Sequence, residues 1–294
     1  MKKIYLLLLL VNLFCLSCIK IPSETILVNP PSKPLVSEKK IDPIPKGKLP
    51  TIPSEKLQIP IIPEKTDSLS HNKQSWGVSA SKNELSPFVP DSWKKLLKKY
   101  NSFYLGSTDK KIVYLTFDCG YEAGFTSKII DILKQNHVPA IFFIVGHYIN
   151  TKPDLVKKMV DNGFQIGNHT SNHPDLSILS EQEIKKEVGD LSIQIKKLTG
   201  MEPIYFRPPS GVFSEFSLAI IKNLGFKTIF WSLAYRDWIP LPGGTEESYQ
   251  TVMNRIHPGA IILMHAVTKD NQDSLQRIIN SVRAKGYEFA PIDF

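Results

Sequence analysis

The chain has 294 residues, 42% hydrophobic and 22% charged, enough to bury a full core in one domain or two. Its formal charge of +8 is unevenly placed: residues 1–90 carry 12 lysines against 7 acidic residues, leaving 24 basic and 21 acidic residues from Asp91 onward. A near-balanced body argues against nucleic acid as the main partner, and the basic excess belongs to a solvated N-terminal segment beside an anionic envelope.

Met1 to Cys18 opens with Lys2-Lys3 and continues as an apolar run broken only by Asn12 and Ser17, "IYLLLLLVNLFCLSC". A charged start followed by an apolar stretch of this length reads as a signal peptide, short for a stable membrane span. Its end, "CLSC", resembles the lipobox of bacterial lipoproteins, with Cys18 the lipid-bearing residue. Cys15 stands where that motif usually carries Leu, so an uncleaved anchor and a plain cleaved signal stay open beside lipidation. All three place the body outside the cytoplasmic membrane. With Cys15 and Cys18 in the leader, Cys119 has no partner for an intramolecular disulfide. It is a buried hydrophobe, a ligand or a reactive thiol.

Residues 19–90 hold 12 of the 22 prolines, in runs such as "NPPSKP", "DPIPKGKLP" and "IPIIPEK". Proline removes backbone donors and favours extended chain, so this stretch is expected to be a disordered or semi-stiff spacer, with the folded domain at 91–294. From there, "SWKKLLKKY" has helical spacing, "KIVYLTF" reads as a buried strand, 125–135 as a helix and "AIFFIV" as a strand. The alternation continues through a helix at 155–162, "FQIGN", a helix at 181–199 opened by Ser180, "IYF", a helix at 214–223, "KTIFW", "AIILM" and a helix at 274–284. Strands alternating with helices imply an α/β fold with a mostly parallel sheet, and about seven units point to a distorted, incomplete (β/α) barrel.

Chemistry in such folds gathers at the carboxyl ends of the strands. Here those ends read "DCG" at 118–120, "GNHTSNHPD" at 167–175, "RPPSG" at 207–211, "RDW" at 236–238 and "MHAV" at 264–267. His169 and His173 lie between Gly167-Asn168 and Pro174, in a loop or single turn. Two imidazoles converging from a tight turn form a half-site for zinc or a similar divalent ion; alone they read equally as hydrogen-bonded loop histidines. "RPPSG" sets a permanent cation, Arg207, beside two residues lacking N–H donors, which makes Ser210 the first backbone N–H able to face a developing oxyanion. The plain alternative is a rigid turn with a surface Arg. His265 ends a strand, with Asp237 available to orient or charge it; by itself it would pass for a core histidine. His71, His137, His147 and His257 read as structural or solvent-facing, His257 as a cation at a helix end.

In order, "TFDCG", "HTSNHP", "RPPSG", "RDW" and "LMH" resemble the polysaccharide deacetylases of the NodB-homology type, carbohydrate esterase family four. "VYLTFDCGYEAG", "VPAIFFIVGHYI", "WSLAYRDW" and "IHPGAIILMH" are similar to the group that deacetylates N-acetylmuramic acid during muramic δ-lactam formation in spore cortex. The resemblance implies a metal-dependent, monomeric hydrolase acting on peptidoglycan glycan strands at the cell envelope. Asp118 would be the general base for the attacking water, Arg207 its charged partner, and His169 and His173 ligands of a divalent metal, zinc or else cobalt. The Ser210 N–H would help hold the oxyanion, and His265, supported by Asp237, would protonate the leaving amine. Leu263 would shape the acetyl-methyl pocket and Trp238 would wall the site.

The chain departs from that pattern twice. Cys119 stands where the family carries a second Asp, a metal ligand; a thiolate is a good zinc ligand, so Cys119 joins the expected ligand set, at the expense of harder ions. Ser210 stands where the third motif often has an aromatic residue, a mild change because the donor is backbone. Other readings remain: a deacetylase of N-acetylglucosamine in peptidoglycan, chitin-like oligomers or O-acetylated xylan; an inactive glycan-binding lipoprotein; and a thiol hydrolase with Cys119 as nucleophile.

Overall fold

A computed structural model describes residues 65–294. The leader at 1–18 and the spacer as far as residue 64 lie outside the described residues. Among the described residues no helix is long and apolar enough to cross a membrane.

The strands are β1 (Gln74–Ser75), β2 (Ser102–Phe103), β3 (Ile112–Cys119), β4 (Ala140–Ile144), β5 (Gln165–Asn168), β6 (Tyr205–Phe206), β7 (Val212–Phe213), β8 (Lys227–Ile229), β9 (Ile261–His265) and β10 (Glu288–Phe289). The helices are α1 (Asp91–Lys99), α2 (Thr126–Gln135), α3 (Gly146–Thr151), α4 (Pro153–Asp161), α5 (Glu181–Thr199), α6 (Glu215–Asn223), α7 (Gly244–Arg255) and α8 (Lys269–Ala284). β3 is buried at every position after Ile112 and β4 throughout, the pattern of central parallel strands covered on both faces.

The main sheet is parallel, in the order β10-β3-β4-β5-β6-β8-β2, with β9 also paired to β3. It curls until the chain beyond β8 meets β9: the Leu263 N–H donates to the Leu233 carbonyl at 2.9 Å, and the Leu233 N–H to the Ile261 carbonyl at 3.2 Å. Closure rests on two isolated bridges among the described residues, Leu233–Ile262 and Leu105–Ala260, rather than on a continuous ladder, so the expected distorted, incomplete barrel is what forms.

Local signals place most elements. α5 spans the expected residues because Ser180 and Glu183 form a capping box, the Glu183 carboxylate taking the Ser180 N–H at 2.8 Å, and because Gly200 accepts a left-handed φ of 75° at its end. Three helices depart from the sequence reading. α3 is absent from it, α7 shows there only as a helix end before His257, since "GTEESYQTVMNR" has few apolar residues, and α8 begins at Lys269 rather than 274 because its first turn, "KDNQD", carries no apolar signal.

The folded unit also starts ahead of the boundary expected at 91. β1 pairs antiparallel with β7, and the Trp76 N–H donates to the Gly211 carbonyl at 2.8 Å. Trp76 is 4% exposed, its ring 4.8 Å from Phe230 and 5.5 Å from Trp93, and its indole N–H donates to the Trp231 carbonyl at 2.9 Å. Ser81 reaches Nδ1 of His257 at 3.1 Å; that histidine is fully buried and lowered by desolvation, so it is no helix-end cation. Proline spacing suggested a spacer through residue 90, but the aromatic and hydroxyl groups between the prolines have partners in the domain. Residues 65–90 therefore form a strap on the barrel. Replacing Trp76 by Ala is expected to cost about 3–5 kcal/mol, read as a lower urea midpoint by circular dichroism; an unchanged midpoint would show that the strap lies outside the cooperative unit.

Candidate active site

The parallel register brings the chemistry together. Asp118 and His265 are direct partners at the ends of β3 and β9. The Arg207 N–H, just past β6, donates to the carbonyl of Asn168 at the end of β5 at 3.0 Å, which sets Arg207 beside His169. These ends open into a cavity of about 1320 Å³ whose walls include Asp118, His169, His173, Ser210, Trp238, Leu263 and His265.

Arg207 is fully buried. Its Nη1 donates to Asp118 Oδ1 at 2.7 Å, Nη2 to Thr116 Oγ1 at 2.9 Å and Nε to the Ile229 carbonyl at 2.9 Å. Beneath it lies the Phe143 ring, 4.2 Å from the guanidinium carbon. That ring can lie there because its register partner is Gly167: a Cβ at 167 would come within 2.3 Å of it. Burial alone would raise the Asp118 carboxyl, but Arg207, with His169 and His265, holds it below its ordinary value. Asp118 is thus kept ionised.

His169 is buried and points its Nδ1 at the Arg207 carbonyl, 2.8 Å away. A carbonyl only accepts, so Nδ1 carries the proton and Nε2, 3.5 Å from Asp118 Oδ2, keeps its lone pair. Desolvation lowers this imidazole to about 4, against the pull of Asp118, and lowers His173 as well. The turn between them passes through left-handed residues, Thr170 and His173 itself, and leaves the rings 4.9 Å apart and edge to face. Two neutral imidazoles beside a carboxylate are a donor set that suits a zinc-like ion. Among the described residues no group of three His, Cys, Asp or Glu side chains is arranged to hold one.

Cys119 does not join them, which overturns its expected role as a ligand. Side chains alternate along a strand: Asp118 and Thr116 meet Arg207, and Cys119 packs with Phe117, Leu115 and Val113 in the opposite core, fully buried. Burial, aided by Asp118 and Glu122, raises its thiol well above the ordinary value. A thiol held protonated is no nucleophile either.

On the other side of Asp118, His265 is held by Asp237, which is fully buried: Nδ1 donates to Asp237 Oδ1 at 2.7 Å and the His265 backbone N–H to Oδ2 at 2.8 Å. Desolvation would lower His265, but the Asp237 carboxylate outweighs it and raises the imidazole above its usual value. Trp238, 48% exposed, stands edge to face with His265 at 5.4 Å, and Leu263, buried on β9, shares the cavity wall. Ser210 takes a left-handed φ of 53° in the same wall. Tyr121 and His147 also line the cavity, His147 being exposed, within the structural or solvent-facing reading of the sequence. Asn271, fully buried behind Asp237, was missed altogether, because nothing in a polar helix start marks it.

The profile described as polysaccharide deacetylase matches residues 105–229. The chain is 42% identical over 221 residues to the peptidoglycan-N-acetylmuramic acid deacetylase PdaA of Bacillus subtilis, covering 74% of this chain and 84% of that protein. It is 31% identical over 223 residues to a peptidoglycan-N-acetylglucosamine deacetylase of Bacillus cereus, covering 74% and 79%. The solved structure of Bacillus subtilis PdaA, described as a family 4 carbohydrate esterase, superposes with a TM-score of 0.74 at 40% identity, over 76% of this chain and 97% of the other.

Replacing Arg207 by Met strands the Asp118 charge and should cost about 3–5 kcal/mol at neutral pH. The depressed carboxyl of the native protein gives stability above the unfolded pKa of about 3.9 and loses it as pH falls through the folded value. In the variant, burial is opposed only by His169 and His265, and Asp118 is drawn toward its protonated form in acid. The gap between the two urea midpoints should therefore be widest near pH 7 and narrow below about pH 4; a constant gap would contradict this account of the pair.

Proposed function

We propose, from the premise that the chain belongs to the polysaccharide deacetylase family, carbohydrate esterase family four, that it hydrolyses N-acetyl groups of peptidoglycan glycan strands, N-acetylmuramic acid being the sugar attacked. The observation that carries the reading is the opposite electrostatic tuning of two register partners: Asp118 held ionised by Arg207 and His265 raised by Asp237. Amide hydrolysis needs such a pair, a base for the water and an acid for a poor leaving group.

His169 and His173 would hold a divalent ion, zinc or cobalt, which when bound supplies Lewis-acid activation of water and of the carbonyl oxygen. Asp118 takes the proton of the water as it adds to the acetyl carbon, while Arg207 fixes the carboxylate in place. The backbone N–H of Ser210, a residue of the cavity wall, would meet the developing oxyanion. As the C–N bond breaks, His265 gives its proton to the nitrogen, releasing acetate and a free amine on the sugar. Leu263 packs on the acetyl methyl and Trp238 walls the sugar. The higher identity to the muramic acid enzyme than to the glucosamine enzyme favours the former sugar. Peptidoglycan lies outside the cytoplasmic membrane, in keeping with the leader expected at 1–18.

With zinc supplied, the protein should release acetate from peptidoglycan strands, and mass analysis of the digested glycan should place the free amine on muramic acid. Amines on glucosamine alone would move the assignment to that sugar; no acetate from intact peptidoglycan, peptide-free glycan or chitooligosaccharide would sink it. Asp118→Asn should lower kcat by about 10²–10⁴-fold. Cys119→Ala, which opens a small cavity in the core, should leave zinc stoichiometry and kcat near native values. Loss of zinc in that variant would restore Cys119 to the ligand set.

A further inference from the structure

Behind Asp237 lies a buried polar cluster that the hydrolytic steps leave without a task. Asn271 sits in the first turn of α8, fully buried, its backbone N–H directed to the Thr268 hydroxyl at 3.5 Å. Its Nδ2 donates both to Asp237 Oδ2 and, at 2.9 Å, to the His265 carbonyl. Its Oδ1 accepts the hydroxyl of Tyr235 at 2.7 Å and that of Ser248 at 2.9 Å, and Ser248 meets Ser274 at 2.8 Å. We propose that Asn271 is a positioning residue, whose amide clamps the Asp237 carboxylate and the His265 backbone into one rigid unit that aims Nε2 of His265 at the cavity.

The amide can stand only one way round. Both neighbours of Nδ2, a carboxylate and a carbonyl, only accept. On the other side, Oδ1 faces the Tyr235 hydroxyl, which desolvation keeps protonated and which also lies 2.8 Å from Ser248 Oγ. A flipped amide would set its oxygen against both the Asp237 carboxylate and the His265 carbonyl, leaving two buried acceptors without that donor. Asp237 thus receives three N–H donors: two from His265, which it must orient, and one from Asn271. Without the third, Oδ2 is held only by the backbone of the residue it orients, and the carboxylate is free to swing. Asn271 reaches the reaction through Asp237 and His265, and the residue it steers faces Asp237, Asp118, Arg207 and His173.

The inference rests on the hydrolase reading, and two measurements separate their failures. In acetate release, Asn271→Ala should lower kcat by about 10- to 100-fold, as loss of an orienting partner does, with KM nearly unchanged. Combined with Asp237→Ala it should add little, since the two act as one unit. Independent multiplication of the two losses, or a native kcat in folded Asn271→Ala, would overturn the proposal. NMR titration of the His265 ring needs no turnover: its pKa should fall in the variant toward the ordinary value of about 6.5. An unmoved ring pKa overturns the clamp, whereas a moved one in a protein that releases no acetate overturns only the function. If Asn271→Ala does not fold, Asn271→Asp keeps the shape while turning an oxygen to Asp237; it should lose kcat likewise, and native turnover in it would refute the clamp.

Discussion

A guanidinium sealed from solvent organises the mouth of this barrel. Burying an ion costs several kcal/mol unless its charge and every N–H are answered, and the answers for Arg207 come from β3, through Asp118 and Thr116, and from β8, through the carbonyls of Ile229 and Phe230. Its own carbonyl fixes the tautomer of His169. One residue thereby holds the Asp118 carboxylate ionised, turns a histidine lone pair toward the cavity and draws together strands that a flat sheet would keep apart. The bare backbone of Gly167, which lets Phe143 lie under the cation, belongs to the same arrangement.

Much of this was legible in the residues. Buried parallel strands announce themselves as apolar runs, and the rule that chemistry collects at their carboxyl ends picked out Asp118, His169, His173, Ser210, Asp237 and His265, which do converge. Arg207, readable as a surface cation, is instead the most deeply committed group, because a motif gives residue types but not the depth at which they sit. Cys119 failed as a ligand for a related reason. Family position placed it beside the metal, but the period of two along β3 turns it away. Polar helix starts carry no periodic signal, so α7 showed only as a helix end before His257 and the first turn of α8 not at all, and Asn271 with it.

The two arms of the site differ in how they are written into the chain. The base arm, with Asp118, His169, His173 and Arg207, falls within the span matched by the family profile, 105–229. The acid arm, Asp237, His265 and Asn271, lies wholly beyond it and comes back to the base only because β9 returns to pair with β3. The base arm is tuned by a cation at its centre. The Asp237–His265 arm depends instead on three N–H groups converging on one buried carboxylate, a cheaper arrangement to bury but one more sensitive to the loss of a single donor.

The strap gives the Ser210 turn an unusual status. Its Trp76 N–H bonds the carbonyl of Gly211, the next residue along, and Gly211 itself is left-handed and closely packed under Trp76 and Trp231. A segment joined to the barrel only at residue 91 thus behaves as a ligand carried on its own leash, present at an effective concentration that no free peptide would match. Its occupancy restricts the turn before any ligand arrives, so the order of this part of the cavity wall is already supplied during folding.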